Sequence, residues 1–338
     1  MSPVIFFYIP APFWPARLPT TSAENWAGFG LGIYAWTVQT YLKLREAGVV
    51  CHLTSQFPDE GIILFHGNAT RGATISPGPK RLLICLKAES PLYSQAQLHV
   101  VQNPHEASSG RHFMPHWPQP GLLPRLPERQ DRLENIAFLG HRDNLAADLL
   151  TPHWQAQLQQ RGLRWIPVVN TNPWNSAQSI DTRWNDYQQI DAIVAVRRFS
   201  LSCPGYRSKP ATKLYNAWLA GVPAILGREL AYRAEGRVGV DYLEANSMDE
   251  LLSCLDLLRQ DVARRRHIVQ QGRCQAAHYT PAAITQRWQQ FLCEVAIPMY
   301  ELWCNRPVWQ RQIHQGKARL LSYCDRTQRR LARFNPFD

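Results

Sequence analysis

Apolar residues gather in short unbroken runs along the first third of the chain: VIFFYI (4–9), VVCHLT (49–54), GIILFH (61–66), RLLICL (81–86) and LHVVQN (98–103). Runs of this length without polar alternation predict strands buried on both faces, and a helical pattern from about Leu31 to Ala47 separates the first two. The pattern stops at PHWPQPGLLPRLPER, where Pro115, Pro118, Pro120, Pro124 and Pro127 forbid regular structure. It restarts with NIAFLG (135–140), a helix near Ala146–Arg161, LRWIPV (163–168), DAIVAV (191–196), a helix from about Ala211 to Ala220, and VPAILG (222–227). Ser247 and Glu250 then carry the capping-box spacing that opens the helix DELLSCLDLL.

The expected fold class is therefore α/β, with two Rossmann-like doubly wound domains facing one another across a cleft. The expected boundaries are 1–125 for the first domain and 126–285 for the second. Terminal helices are expected in 286–338, ending in a basic tail. Ligands of open parallel sheets bind beyond the carboxyl ends of the strands, so the site is expected between the halves.

Composition narrows the class. With 45% hydrophobic and 19% charged residues the chain has ample core and is not disordered. No run reaches the roughly 18 apolar residues of a membrane span. The apolar start at 4–9 lacks a basic leader and is broken by Pro10, Pro12 and Pro15, so no signal peptide is expected and the location is read as cytoplasmic. Eight cysteines show neither a CxxC pair nor zinc-type spacing, which predicts reduced, mostly buried thiols and no metal site.

The net charge of +11 is unevenly spread: 8 basic residues face 3 acidic ones in 301–338, against 10 and 7 in 1–130. Such an excess attracts nucleic acid, anionic lipid or phosphorylated substrates. No nucleic-acid module is recognisable, so nucleic acid is not an expected partner. In the tail, Leu320, Leu321, Leu331 and Phe334 lie among Arg319, Arg326, Arg329, Arg330 and Arg333, a pattern that fits a basic amphipathic helix in peripheral contact with anionic membrane.

The most informative segment runs from residue 206 to 227. Arg207, Lys209 and Lys213 crowd the amino end of a helix, where the macrodipole is already positive, so an anion is expected there; a solvated basic turn is the plainer alternative. Lys209, Lys213 and Asn216 follow at spacings of four and three and share one face, while Leu214 and Trp218 share another. Two lysines at a helix amino end suit a diphosphate, and Asn216 suits a ribose or sugar hydroxyl.

The stretch KPATKLYNAWLAGVPAILG, followed by ELAYR and DYLEANSMDELL, resembles the donor-binding half of GT-B glycosyltransferases, including the KL-x-NA-x-x-AG-x-P variant of fucosyltransferase-like branches. The resemblance covers about 131–290, extends more loosely over the N-terminal half, and implies that the terminal helices of 286–338 pack back on the first domain. Where such enzymes more often carry a glutamate pair, this helix offers Lys213 and Asn216. The resemblance implies transfer of a hexosyl or deoxyhexosyl group from a nucleotide diphosphate-sugar to an acceptor hydroxyl on a glycan, glycolipid or small metabolite. It implies no metal and no cofactor, the nucleotide-sugar being a substrate. It also implies that Glu229 and Tyr232 contact the sugar or nucleotide, and that the Gly28, Gly30 and Gly32 loop lies against the donor phosphate or the acceptor. A turn needing positive φ is the alternative for those glycines.

Position at strand ends adds further candidates. Arg142 in GHRDN and Arg197 or Arg198 at the end of DAIVAVRR are placed to reach a pyrophosphate. His66 and Glu89 follow strands of the first half, where a base would deprotonate the acceptor; an ion pair of Glu89 with Lys87 is the plainer reading. Trp14 and Trp26 suit stacking on an acceptor sugar, whereas Trp154, Trp165, Trp218 and Tyr187 suit the core. A nucleotide- or sugar-binding protein without turnover is the alternative function.

Overall fold

The computed structural model describes residues 3–170, 183–199, 206–313 and 316. Cys203, Cys324 and the tail from Lys317 onward lie outside the described residues. The N-terminal half holds strands β1 (Ile5–Tyr8), β2 (Cys51–Thr54), β3 (Gly61–His66), β4 (Arg81–Leu86), β5 (Leu98–Val101) and β6 (Arg111–Phe113). All pair in parallel, in the order β2-β1-β3-β4-β5-β6. The C-terminal half holds β7 (Asn135–His141), β8 (Arg164–Asn170), β9 (Ala192–Ala195), β10 (Ala224–Leu226) and β11 (Leu243–Glu244), also parallel, in the order β11-β10-β9-β7-β8. In each sheet the first strand is flanked by the second and third, so the chain reverses its direction of winding at β1/β3 and at β7/β9. Those switch points are where a doubly wound sheet opens a crevice at its carboxyl edge.

The continuous apolar runs are indeed strands buried on both faces: β3 is buried from end to end. Pro167 sits within β8, which is tolerated because β8 is an edge strand. The strands β6 and β11, only three and two residues long, carry too little pattern to be read from sequence.

Two helices differ from expectation. The segment 31–47 is broken into α1 (Gly32–Trp36) and α2 (Val38–Glu46) at Thr37, whose hydroxyl bonds the Ile33 carbonyl and competes with the backbone ladder. The segment 146–161 starts as a 3-10 turn, and α3 begins only at Pro152 (Pro152–Gln160), because the proline ring fits a first helical position and not an interior one. The helix read at 211–220 is α4 (Thr212–Ala220), closed by Gly221 at φ 71. It is followed by α5 (Leu230–Glu235), α6 (Met248–Gln260) and α7 (Val262–Ala276). Ser247 Oγ accepts from the Glu250 N–H at 3.1 Å, and the Glu250 carboxylate accepts from the Asn246 N–H at 2.7 Å.

After α7 the chain returns to the first half. Helices α8 (Pro281–Phe291) and α9 (Ile297–Asn305) are joined by a π turn, which accommodates Pro298 without a clean break. Trp288, Leu292 and Trp303 pack with Phe7, Trp36, Ile62 and Ile84 in one buried cluster, and Trp303 Nε1 donates to the Gly78 carbonyl. The C-terminal half has its own core around Phe138, Trp154 and Trp218. No described helix is long and apolar enough to cross a membrane.

Candidate active site

The carboxyl ends of both sheets meet at a cleft of about 600 Å³. From the N-terminal half it is lined by Gly30, Gly32, His66 and Glu89 among others, and from the C-terminal half by His141, Asp143 and Pro210. His66 ends β3 and is 3% exposed. Its Nδ1 accepts from the Asn68 N–H at 3.1 Å, so the neutral ring carries its proton on Nε2. Nε2 is buried with no partner among the described residues, and Gly32 leaves room in front of it. Burial, then the neighbouring His116 and Arg71 charges, push the imidazole pKa down to about 3. His66 therefore presents a donor. Its expected role as a base is corrected, because the lone pair a base needs is already occupied.

His141, which sequence reasoning passed over in favour of Arg142, ends β7 and donates Nε2–H to the Gly30 carbonyl at 2.9 Å across the halves. Its ring stands edge-on to Trp184, and burial is the first cause of its lowered pKa. A strand read one residue longer would have placed it at the carboxyl edge. Arg142 instead turns back onto its own 3-10 turn and bonds the Leu145 carbonyl, while Arg198 is exposed.

Next to His141 lies a buried charged cluster. Lys213, in the first turn of α4, approaches Gly140 so closely that a Cβ there would stand 3.0 Å from Nζ, and Gly140 has φ 153. The ammonium lies over the Phe138 ring at 5.1 Å and has no carboxylate within ion-pair distance among the described residues. Burial, then the Arg197 charge, pull its pKa down to about 7 against the opposing pull of Glu229. Arg197 follows β9; its Nη1 lies 3.4 Å from Glu229 Oε1, and its face lies near the Tyr206 ring. Arg197 Nε, Glu229 Oε2 and the Tyr232 hydroxyl are buried without a hydrogen-bond partner among the described residues. Burial holds the Glu229 carboxyl above its ordinary range despite Arg197 and Lys213. Among the described residues, two cations and one carboxyl with unsatisfied polar atoms thus meet at the β7/β9 switch point.

The segment before α4 is docked onto the N-terminal half. Gln102 Nε2 donates to the Ser208 carbonyl at 2.8 Å and Asn103 Nδ2 to the Lys209 carbonyl at 3.3 Å. Lys87 is buried against Glu106 at 2.7 Å and Ser208 Oγ at 3.0 Å, so the expected Lys87–Glu89 pair does not form. Glu89 pairs instead with Lys209 at 2.6 Å. Between them Ala88 takes φ 48, a conformation a side chain rarely adopts. Lys87, Gln102 and Asn103 left no local signal, since the contacts by which they hold Ser208 and Lys209 span more than a hundred residues.

Three more expectations are corrected. Asn216 Oδ1 accepts from the Gln119 N–H at 2.9 Å and the residue also bonds Tyr187, so its buried amide ties the linker to α4 instead of facing the cleft lining. Gly28, Gly30 and Gly32 have no positive φ: Gly28 lies under the Trp26 ring, Gly30 accepts from His141, and Gly32 faces His66. Trp14 and Trp26 pack on the core beside Phe29 and Tyr34. Among the described residues no group of His, Cys, Asp and Glu is arranged to hold a metal ion.

No protein-family model matches the chain, and no curated protein matches it. Solved structures do resemble it. HepE (Alr3699) of Anabaena, in complex with UDP and glucose, superposes at TM-score 0.52 with 11% identity, over 87% of this chain and 100% of that one. Sucrose-phosphate synthase of Thermosynechococcus elongatus gives 0.51 and 11%, over 86% and 88%. AviGT4, a glycosyltransferase involved in avilamycin A biosynthesis, gives 0.50 and 12%, over 87% and 99%. With two parallel doubly wound sheets facing a cleft, the chain has the GT-B fold.

Proposed function

We propose that this protein transfers a sugar from a nucleotide diphosphate-sugar to an acceptor hydroxyl. The observation that carries the reading is Lys213: a half-buried ammonium with no carboxylate within ion-pair distance among the described residues, set against Gly140 at the switch point and beside Arg197. Charge of this kind is stable when an anion completes it. A diphosphate on Lys213 and Arg197 would do so, and the similar HepE structures hold UDP or UDP-glucose.

In the proposed reaction the bond between the anomeric carbon and the diphosphate oxygen breaks, and its electron pair passes to the diphosphate. The acceptor oxygen bonds the anomeric carbon and gives up its proton. Lys213 and Arg197 stabilise the charge that develops on the leaving group, so we assign this work to fixed cations rather than to a divalent metal. Glu89, at the mouth of the cleft, is the carboxylate placed to take the acceptor proton. His66 Nε2–H, aimed into the cleft, donates to a sugar hydroxyl. A glycan, glycolipid or small-metabolite acceptor enters from the N-terminal half; the basic tail would hold the enzyme at an anionic membrane if the acceptor is a lipid.

The test is incubation of the purified chain with UDP-, GDP-, ADP- and TDP-sugars, with and without EDTA, while nucleoside diphosphate release is followed. Release from one donor that survives EDTA and is lost in Lys213→Ala supports the reading. Tight nucleotide binding without release would make the chain a binding protein.

A further inference from the structure

The opposite end of the C-terminal sheet carries a second concave site. A groove of about 660 Å³ lies between the linker and α7, at the amino ends of β9 and β10, where Asp191, Gly221 and Pro223 border it. Its walls are rich in guanidinium: Arg125 and Arg132 come from the linker, and Arg265, Arg266 and Arg273 from α7.

The carboxylates present are already used. Asp191 is gripped by Arg125 at 2.8 Å and by Arg129, just behind, at 2.6 Å. Asp131 pairs with Arg266. Arg265 is 6% exposed, yet its guanidinium bonds only the carbonyls of Leu258 and Asp131. Arg132 and Arg273 are exposed, and their guanidiniums make no hydrogen bond or ion pair among the described residues. Arg273 rests against Gly221, where a Cβ would stand 2.7 Å from Nη2. Among the described residues the groove is lined by five guanidiniums and two carboxylates, an excess of three positive charges that self-repulsion opposes until an anion enters. At the same place Gln130 is held at φ 41 and ψ −124, a strained conformation for a residue with a side chain and one that accumulates at ligand sites.

We propose that this groove binds a small, multiply charged phosphate anion, at a site separate from the cleft. Its volume falls in the range of about 300–1,000 Å³ usual for small-molecule pockets. Guanidinium forks match phosphate oxygens two at a time, which favours phosphate over a single carboxylate. The site depends on no assumption about sugar transfer.

Calorimetric titration of the full chain with sodium tripolyphosphate, at fixed ionic strength and with sulfate as control, tests the assignment. Tripolyphosphate is expected to bind a site that persists in Lys213→Ala and weakens by about tenfold or more in the double variant Arg132→Ala/Arg273→Ala, at unchanged melting temperature. Both replaced side chains are exposed, so the fold should tolerate their loss. Binding that the double variant leaves intact, or that Lys213→Ala alone abolishes, overturns the site. Sulfate binding as tight as tripolyphosphate overturns it too, since that would be screening. A single-stranded oligonucleotide that tripolyphosphate fails to displace from the groove would give the surface to nucleic acid instead.

Discussion

Lys209 Nζ stands 2.6 Å from Glu89 Oε2, an ion pair that joins the two halves of the chain at the cleft. Both side chains are partly exposed, at 22% and 53%, so the pair contributes only about 0.2–1 kcal/mol to stability. Its larger consequence is chemical. In the proposed reaction, a diphosphate that drew Lys209 toward itself would release the Glu89 carboxylate as the base.

Glu89→Gln should therefore lower the rate of transfer by about 10²–10⁴ while moving the melting temperature little, because it removes a proton acceptor and only a weak pair. Steady-state kinetics beside a thermal melt separates the two effects. A kcat within twofold of the parent would mean that another group, or the leaving diphosphate itself, takes the proton.

Lys213 sets a pH dependence whose sign follows from its burial. Its pKa is about 7 in the folded chain against an ordinary 10.5, so between these values the unfolded chain binds more protons. This group's contribution to stability accordingly grows as pH rises from about 7 and is absent below it. An anionic ligand prefers the protonated form. Nucleoside diphosphate affinity should fall as pH rises above about 7, by at most about tenfold per pH unit, and Lys213→Met should weaken binding and flatten the profile. A wild-type profile that stays flat from about pH 6 to 9 would remove Lys213 from the phosphate site.

In the proposed reaction His66 acts as a neutral donor, so its loss should be modest and independent of pH. A hydrogen bond of this type is worth about 0.5–1.5 kcal/mol, which predicts a fall of roughly tenfold or less in kcat/KM for His66→Ala. Its pKa of about 3 places no inflection in the rate profile near 6.5, where an ordinary imidazole titrates. An inflection there that disappears in His66→Ala would restore the ring as an acid or base.

Asn216 separates a structural role from a binding one. Its buried amide accepts the Gln119 N–H, so Asn216→Ala leaves that donor unpaired and should cost about 1–3 kcal/mol, read as a lower urea midpoint. Donor affinity should stay within about twofold, since the side chain faces the linker. Weaker donor binding at unchanged stability would return Asn216 to the ribose.

The fold was legible because its signals are local. Buried parallel strands write themselves as apolar runs such as GIILFH, and the proline cluster at 115–127 marks where the first pattern ends. The placement of Lys213 and Arg197 was legible for a related reason: a charge at a helix amino end and a charge at a strand's carboxyl end are positions that sequence order fixes. What escaped depends on contacts between distant segments. Helical spacing put Asn216 beside Lys213, but only the folded chain shows that the linker at Gln119 occupies that face. Arg142 looked like the longer reach in GHRDN, yet its own turn captures it and leaves His141 at the cleft. Glu89 was read against its neighbour Lys87, which is instead taken by Glu106.

Asp191 holds the linker to the C-terminal sheet, and its loss should be the most destabilising of these changes. The side chain is fully buried; Oδ1 accepts from Arg125 and Arg129, and Oδ2 accepts from Arg129 and from the N–H groups of Glu134 and Asn135. Burial alone would raise its pKa, but the bonds from Arg129, from the Asn135 and Glu134 N–H groups and from Arg125 outweigh it and hold the carboxyl below its ordinary 3.8. Such a group contributes stability above the unfolded pKa, and loses it as pH falls through the folded one. Asp191→Asn keeps the shape but removes the charge, leaving Arg125 without a carboxylate and Arg129 with only Glu134, at 3.3 Å, for a cost of about 3–5 kcal/mol near neutral pH. Measured by urea unfolding, the gap between parent and variant should be widest near pH 7 and shrink as the parent's own carboxylate protonates in acid. A gap that keeps its width at low pH would mean that Asp191 acts through the geometry of its hydrogen bonds and not through its charge.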